Sequence, residues 1–391
     1  REHFEAARTF AREECQRITA DLWLARVLNM LDALAAEEAI LDGLLPLAEA
    51  LEDPLPLAEA LYLKGNLYFP RGDFATSRAY HTRALEQARR GGDVRTEVQA
   101  LSGLGDAHYA EGQMRSTLEL FDHCVTLCRT HGHADLEASN LFMLGTARIY
   151  ANQTEAALAD CFDAAELGKR VGNRRAEVVA RLTAGWILLS QGEPYAADEQ
   201  VTQALEVARG LGSWRFEAFL LESRARVELI TGQLVEARAS IERAWQLVEQ
   251  HGMQAFIGPW VLGTRALLAE DAEARLATLQ QGEALLDAGC VGHNGYRFLV
   301  TAAEVSLLDG RPDAARHYAR RLTQLMGAEP CAWGEHHRAL IEAHADWLEN
   351  GQAEGEKGGE AHALEALRAC WHRGEAVGLR MTLPRLAGTR H

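Results

Sequence analysis

The sequence predicts an all-α protein built from stacked helix pairs, and three observations support this fold class. Leu and Ala dominate, the 391 residues include only 9 prolines, and runs of β-branched residues are scarce, a composition that favours helices. Small residues recur every 40 positions along much of the chain. Hydrophobic residues make up 48% of the sequence, which is enough to bury a large core.

The repeat is seen in five aligned series of small residues. Gly105 lies in an otherwise helical stretch, where glycine costs about 0.5–1 kcal/mol relative to alanine. The series are Gly65, Gly105, Gly145, Gly185 and Ala225; Gly72, Gly112, Asn152, Gly192 and Gly232; Gly92, Gly132, Gly172, Gly212 and Gly252; Ala84, Cys124, Ala164, Ala204 and Ala244; and Ser77, Thr117, Ala157, Ala197 and Ala237. Several series with one spacing indicate an array of supersecondary units.

Each regular unit, between about residues 53 and 252, predicts two helices. In the unit 93–132, helix A is expected near 96–110 and helix B near 114–130. Gly112 makes the turn between these helices, and Gly132 follows helix B, where a left-handed conformation favours glycine. The small residues inside the helices, Gly105 among them, are expected to let neighbouring helices approach closely.

Irregular units flank the regular set at 1–52 and 253–391. The last unit begins near His336 and is interrupted by the Gly- and Glu-rich segment 350–361, which predicts a mobile loop. The helix after this loop is expected to close the array. The whole chain is therefore expected to be one repeat domain of about eight units.

The pattern L-x-x-L-G with a second glycine and a further small residue resembles the tetratricopeptide repeat, as in Leu101, Leu104, Gly105, Gly112 and Thr117. The common unit has about 34 residues, whereas this one has 40 and longer helices, which is similar to the repeat domain of the MalT-like group of bacterial signalling ATPases. The resemblance implies a right-handed superhelical solenoid.

Segments in the last third resemble the C-terminal repeat array of bacterial fusions that join an adenylate/guanylate cyclase domain to an AAA-type ATPase. These segments are GPWVLG (258–263), residues 281–294 and AEPCAW (328–333). The chain also begins at Arg1 within a helical pattern. Together these features imply a part of a larger protein whose cyclase and ATPase domains lie upstream.

No constellation in the sequence predicts catalysis or a cofactor. The Gly-Lys pair at 168–169 lacks the first glycine and the hydroxyl residue of a phosphate-binding loop. The stretch CVTLCRTHGH (124–133) carries ligand-like side chains, but Cys124 occupies a slot that is alanine in other units, which favours core packing. We therefore expect no enzyme activity, no cofactor and no metal site in this chain.

The charge and composition of the chain exclude some classes of binding partner. The formal net charge of −16 disfavours nucleic acid, and no apolar run approaches the roughly 18–20 residues of a membrane span. Seven cysteines without a signal peptide fit a reducing cytoplasm. The expected partner is a protein or peptide, or upstream domains of the same polypeptide. A small ligand is the alternative partner that the sequence leaves open.

Two surfaces are candidates for binding. Helix A lines the inner surface of a stacked array, and its register places there aromatic, amide and charged side chains suited to peptides: Tyr62, Asn66, Phe69, Gln99, Asp106, Tyr109, Phe142, Trp186 and Arg226. The second candidate is an exposed turn, which displays His293 and Asn294 with Tyr296 and Arg297 beside them.

These expectations favour a non-catalytic interaction and regulatory module of a larger signalling protein. The alternative is a small-ligand-sensing array of a MalT-like regulatory ATPase, in which aromatic side chains of the inner surface would stack on the ligand.

Overall fold

The computed structural model describes residues 2–10, 13–30, 33–69, 71–352, 359–383 and residue 386. Over these ranges the chain is helical and contains no strand, which confirms the predicted all-α class. The helices are α1 (Glu2–Phe10), α2 (Glu14–Met30), α3 (Leu34–Glu49), α4 (Leu55–Tyr68), α5 (Phe74–Gly91), α6 (Val94–Ala110), α7 (Met114–His131), α8 (Ala134–Tyr150), α9 (Thr154–Val171), α10 (Arg174–Ser190), α11 (Pro194–Gly210), α12 (Trp214–Ile230), α13 (Leu234–Gln250), α14 (Gln254–Leu268), α15 (Ala272–Asp287), α16 (Gly292–Leu308), α17 (Pro312–Met326), α18 (Ala332–Gln352) and α19 (Gly359–Ala376).

From α2 onward the described helices form nine consecutive pairs, where the sequence predicts about eight units. The predicted loop 350–361 is helical at both edges, because α18 extends to Gln352 and α19 begins at Gly359. Its middle, 353–358, lies outside the described residues. None of the described helices is both long and apolar enough to cross a bilayer.

The chain divides into two compact units. Unit 1 comprises residues 1–111 and 119–140, and unit 2 comprises residues 112–118 and 141–391. In unit 1 the even-numbered helices α2, α4 and α6 contact one another in succession, as do α10, α12, α14, α16 and α18 in unit 2. We use the term inner face for the side of an even-numbered helix that is turned away from its odd-numbered partners.

The turns have the left-handed geometry that the two glycine series predict. At the turn before α9, Asn152 has φ 58° and is the one described non-glycine residue with positive φ. Asn tolerates this region better than other side chains because its short amide can bond to the local backbone. Gly92 has φ 68° and caps the end of α5, where its N–H donates to the backbone carbonyls of Ala88 and Arg89. The predicted turn positions are therefore confirmed.

The helix-interior glycines mark helix contacts, as predicted. In four units the glycine of helix A lies against the equivalent residue of helix B: Gly65 against His81, Gly105 against Phe121, Gly145 against Cys161 and Gly185 against Val201. A Cβ placed on Gly105 would lie 2.8 Å from the ring of Phe121. Real Cβ atoms do not approach this closely, so glycine is required for the observed helix spacing.

The other small-residue series are buried in the helix interfaces. All ten side chains of these two series are 0% exposed: Ser77, Thr117, Ala157, Ala197, Ala237, Ala84, Cys124, Ala164, Ala204 and Ala244. Cys124 packs in a core cluster with Val98, Leu101 and Cys128. The interpretation of Cys124 as a core residue is confirmed.

Candidate functional site

The inner face of unit 1 is accessible. Tyr62 and Asn66 on α4 and Phe69 directly after it are half-buried, whereas Leu61 and Leu63 on the same helix are buried. This pattern arises because residues three to four positions apart share one side of a helix, and the partner helices cover the other side. The predicted residues of α6 are also half-buried, namely Gln99, Asp106 and Tyr109. The structure thus places these six predicted residues together on one accessible face.

The chemistry of this face is mixed. Two of its rings lie at the edge that adjoins α5: the ring centroid of Tyr62 is 5.7 Å from that of His81, and that of Phe69 is 5.5 Å from that of Phe74. These contacts hold the aromatic side chains in place, which lowers the entropy lost when a partner binds. Amide groups can pair with a peptide backbone, and aromatic rings supply contact area at low conformational cost.

The corresponding inner face of unit 2 is mostly covered. Phe142 is 8% exposed and Arg226 is 9% exposed, and Trp186 is half-buried. The prediction that these residues line an open groove is wrong for Phe142 and Arg226. For Arg226 the reason is long-range packing, because its guanidinium donates to Thr301 of α16. Trp186 likewise contacts the rings of His293 on α16 and Trp333 on α18.

The predicted exposed turn is also wrong. His293, Asn294, Tyr296 and Arg297 are 5%, 2%, 0% and 5% exposed. The reason is that α16 begins already at Gly292, so all four residues belong to the helix and point into unit 2.

Each of these four side chains has a specific partner in unit 2. The hydroxyl Oη of Tyr150 and Nδ1 of His293 share a hydrogen bond of 2.6 Å. The amide Nδ2 of Asn294 donates to the backbone carbonyl of Phe256. Tyr296 donates from its hydroxyl to the carbonyl of Gly112 at 3.0 Å. These contacts join α16 to α8, to α14 and to the turn before α7.

Arg297 lies between two tryptophan rings. Its guanidinium carbon is 4.3 Å from the ring centroid of Trp186 and 4.7 Å from that of Trp260. Such stacking stabilises a buried cation. Burial, together with the positive charge of Arg297, lowers the pKa of His293 well below its usual value. His293 is therefore neutral near pH 7 and can share the hydrogen bond of Tyr150 without a charge penalty.

A buried ion pair, Glu222 with Arg226, lies on α12. Glu222 is 0% exposed, accepts from Nε of Arg226, and accepts from the hydroxyl of Thr264 at 2.5 Å. Arg226 also donates to the hydroxyl of Thr301 at 2.8 Å. The pair therefore joins α12 to α14 and α16, which is a structural role in the interior of unit 2.

A cavity of about 50 Å³ remains beside these side chains. Its lining includes Trp186, Arg226, Arg297, Glu304, His337 and Met381. The volume has room for a few water molecules and is far below the roughly 300–1,000 Å³ of pockets for drug-sized ligands.

Sequence reasoning missed Tyr150, His337 and Met381 in this region. Tyr150 contacts four aromatic rings, those of Trp186, His293, Tyr296 and Trp333. The one signal in the sequence is the recurrence of tryptophan and histidine after residue 258, and this signal does not reveal that the later helices pack on α8 and α10.

The cysteines and histidines of the described residues do not form a metal site: no group of three or more potential ligands is arranged around a common point there. Burial raises the pKa of the Cys128 thiol to about 12, so this thiol is protonated and unreactive at neutral pH. Both cysteines of the 124–133 stretch are buried in the core cluster and contribute to packing.

The successive helix pairs, the left-handed turns and the contacts among even-numbered helices define a tetratricopeptide-like helical-repeat fold. No protein-family model matches the chain, and no curated protein matches its sequence significantly. Three solved structures are similar in fold. A Rap protein complexed with competence and sporulation factor gives a TM-score of 0.64 at 15% identity, covering 81% of this chain and 88% of its own.

The matches to the other two structures cover a larger share of those chains. The apo form of the quorum sensor NprR from B. thuringiensis gives a TM-score of 0.59 at 17% identity over 83% of this chain and 92% of its own. The Rap conjugation gene regulator of plasmid pLS20, in complex with the Phr* peptide, gives a TM-score of 0.55 at 12% identity. This match covers 94% of this chain and 97% of the regulator. At these identities the likeness shows the helical-repeat fold.

Proposed function

We propose that this chain is a non-catalytic interaction and regulatory module that binds a protein or peptide on the inner face of unit 1. The observation that carries the proposal is that six predicted side chains, on α4, at its C-terminal end and on α6, are half-buried and accessible, while the inner face of unit 2 is mostly covered. Helical-repeat arrays commonly bind partners on this face.

The charge and chemistry of this surface favour a peptide. Tyr62, Phe69 and Tyr109 offer aromatic contact area, and Asn66 and Gln99 offer amides that can pair with a peptide backbone. The net charge of −16 further favours a partner with basic side chains. Two of the similar solved structures are complexes, one with competence and sporulation factor and one with the Phr* peptide, and this supports the same class of partner.

Peptide selection tests the proposal. A displayed library of random 12-residue peptides is selected on the full chain, and the dissociation constant of each selected peptide is measured by fluorescence anisotropy. We expect Tyr109→Ala to weaken binding at least tenfold, since aromatic side chains at the centre of an interface contribute about 1.4 kcal/mol or more.

The matched control is Tyr195→Ala, which removes an 81%-exposed tyrosine on α11 in unit 2. This control should leave binding unchanged. Peptides that bind both variants and the wild-type chain equally would contradict a binding site on the inner face of unit 1.

We further propose that the module belongs to a larger cytoplasmic bacterial signalling protein with cyclase and ATPase domains upstream. The support is the resemblance of the 40-residue units and of the segments after residue 258 to such proteins. The coding sequence upstream of Arg1 tests this: a phosphate-binding loop and a cyclase domain are expected there, and their absence would overturn it.

The alternative function, sensing of a small ligand, would place the ligand beside Trp186. The cavity there has about 50 Å³, so a ligand of ordinary size would require the surrounding side chains to move. Thermal shift with a metabolite library distinguishes the two functions, because a bound ligand raises the melting temperature.

A further inference from the structure

The segment that follows α19 lies against two of the turns between helix A and helix B in unit 2. α19 ends at Ala376, and Gly378 then turns the chain with φ 77°. Residues 377–383, which we call the docked segment, continue from this turn without a helix or strand. Leu379 and Leu383 of this segment are both 0% exposed.

The first contact of the docked segment is with the turn between α8 and α9. The hydroxyl of Thr154 donates to the carbonyl of Val377 at 2.6 Å. A Cβ placed on Gly378 would lie 2.4 Å from Oγ1 of Thr154. The backbone of the segment therefore meets the first residue of α9 at a distance that only glycine permits.

The second contact is one repeat further along, at the turn between α10 and α11. The N–H of Met381 donates to the carbonyl of Ser190 at 2.9 Å. The side chain of Met381 packs against this turn, since its Cγ and Sδ lie 3.6 Å from a Cβ placed on Gly192. Met381 and Thr382 also line the cavity beside Trp186.

The two contacts lie at corresponding turns of adjacent repeats. Gly192 is the 40-residue equivalent of Asn152, and both residues have positive φ in the turn between helix A and helix B. A segment without helix or strand that hydrogen-bonds through its backbone to successive repeats, and places a flexible apolar side chain at one of them, has the character of a bound peptide.

We infer that the surface formed by these two turns of unit 2 is a binding surface for a short apolar peptide, and that the docked segment occupies it in place of an external partner. The partner carries large apolar side chains at the positions of Leu379, Met381 and Leu383, with free backbone groups between them. It competes with the docked segment, which is held at high effective concentration by its covalent link to α19. The inference goes beyond the proposed function, which concerns unit 1.

Solvent reaches the edge of this surface. A cleft of about 550 Å³ runs beside the docked segment and is lined by Asn152, Thr154, Gln191, Glu375 and Arg380, among others. A competing peptide can therefore enter along the segment before the segment is fully released.

The test uses a labelled synthetic peptide with the sequence of residues 376–383, AVGLRMTL. Its binding is measured by fluorescence anisotropy to the full chain and to a chain that ends after Ala376. We expect saturable binding to the shortened chain and at least tenfold weaker binding to the full chain. A peptide carrying Met381→Asp should bind the shortened chain at least tenfold more weakly, because the contact with the α10–α11 turn is apolar.

Thr154→Val in the shortened chain tests the hydrogen bond to the peptide carbonyl. We expect about fivefold weaker binding, the effect of removing one neutral hydrogen bond. The matched control is Thr278→Val on α15, where the hydroxyl bonds to a carbonyl of its own helix; this variant should bind as the shortened chain does.

A full-length variant keeps the inference testable if the shortened chain does not fold. Gly378→Ala introduces both backbone strain at positive φ and a clash with Thr154, and should therefore release the docked segment. We expect it to bind the peptide at least fivefold more tightly than the wild-type chain. Gly232→Ala is its control, because Gly232 has φ 83° and a Cβ there meets nothing within 4 Å.

Equal binding of the peptide to the full chain, the folded shortened chain and the Gly378→Ala variant would overturn the inference. Saturable binding to none of these three proteins would overturn it as well. None of these variants lies on α4 or α6. A negative result here therefore leaves the proposed function of unit 1 standing, and failure of the Tyr109→Ala experiment leaves this inference standing.

Discussion

At the scale of single residues, His81 shows how a buried side chain depends on its surroundings. The imidazole is 1% exposed and fills the space beside Gly65 and Gly103, where added Cβ atoms would lie 2.7 and 2.4 Å from its ring. Burial lowers the pKa of His81 from 6.5 to about 4. The folded chain therefore holds this side chain neutral over a pH range in which the unfolded chain protonates it.

The lowered pKa predicts a loss of stability in mild acid. The stabilisation is fully present above pH 6.5 and is lost as the pH falls from about 6.5 to about 4, because the unfolded state binds the extra proton. From pH 7.5 to 5.0 the loss from His81 is about 2 kcal/mol. Urea unfolding at the two pH values measures it, and His81→Gln should remove that part of the pH dependence.

The control for this prediction is His123→Gln, which removes an exposed imidazole from α7 in the same unit. This variant should keep the pH dependence of the wild-type chain. If His81→Gln also keeps it, then burial of His81 does not contribute to acid sensitivity.

At the scale of helices, the fit between α6 and α7 in unit 1 depends on Gly105. Phe121 is 0% exposed, so its ring has little freedom to move away from an added Cβ at 2.8 Å. Gly105→Ala gains up to about 1 kcal/mol of helix propensity but overpacks the interface at a cost of about 1–3 kcal/mol. We expect a net destabilisation of about 1 kcal/mol, measured by urea unfolding.

Gly43→Ala is the matched control for this prediction. Gly43 lies inside α3, and a Cβ there meets nothing within 4 Å. This substitution should stabilise the chain by about 0.5–1 kcal/mol through helix propensity alone. A stabilisation of the same size by Gly105→Ala would contradict the account of close helix packing.

The helices and turns were predictable because their signals are local. A residue such as Asn152 indicates a left-handed turn from its own conformational preference, and Gly105 indicates a helix contact because it recurs at one spacing. The placement of α16 was not predictable in this way. Its contacts join residues far apart in sequence, as in the hydrogen bond between Tyr150 and His293, and the 40-residue pattern carries no information about them.

At the scale of the whole chain, the two units differ in how much of the inner face they leave accessible. The sequence predicted one kind of inner face throughout, and the predicted residues of unit 1 are half-buried. In unit 2, Phe142 and Arg226 are buried instead, and Arg226 bonds to Thr301 of the later helix α16. The helix register therefore predicts which side of a helix a residue is on, but it does not predict whether a later part of the chain covers that side.

Hydrogen exchange of the full chain, with and without a peptide selected by binding, tests the central claim most directly. Amide protection reports which helices a partner stabilises. We expect the peptide to slow exchange in α4 and α6, and a Tyr109→Ala chain at the same peptide concentration to lose this effect. Protection confined to helices outside these two, or no change at a saturating peptide concentration, would contradict the claim that the inner face of unit 1 binds the partner.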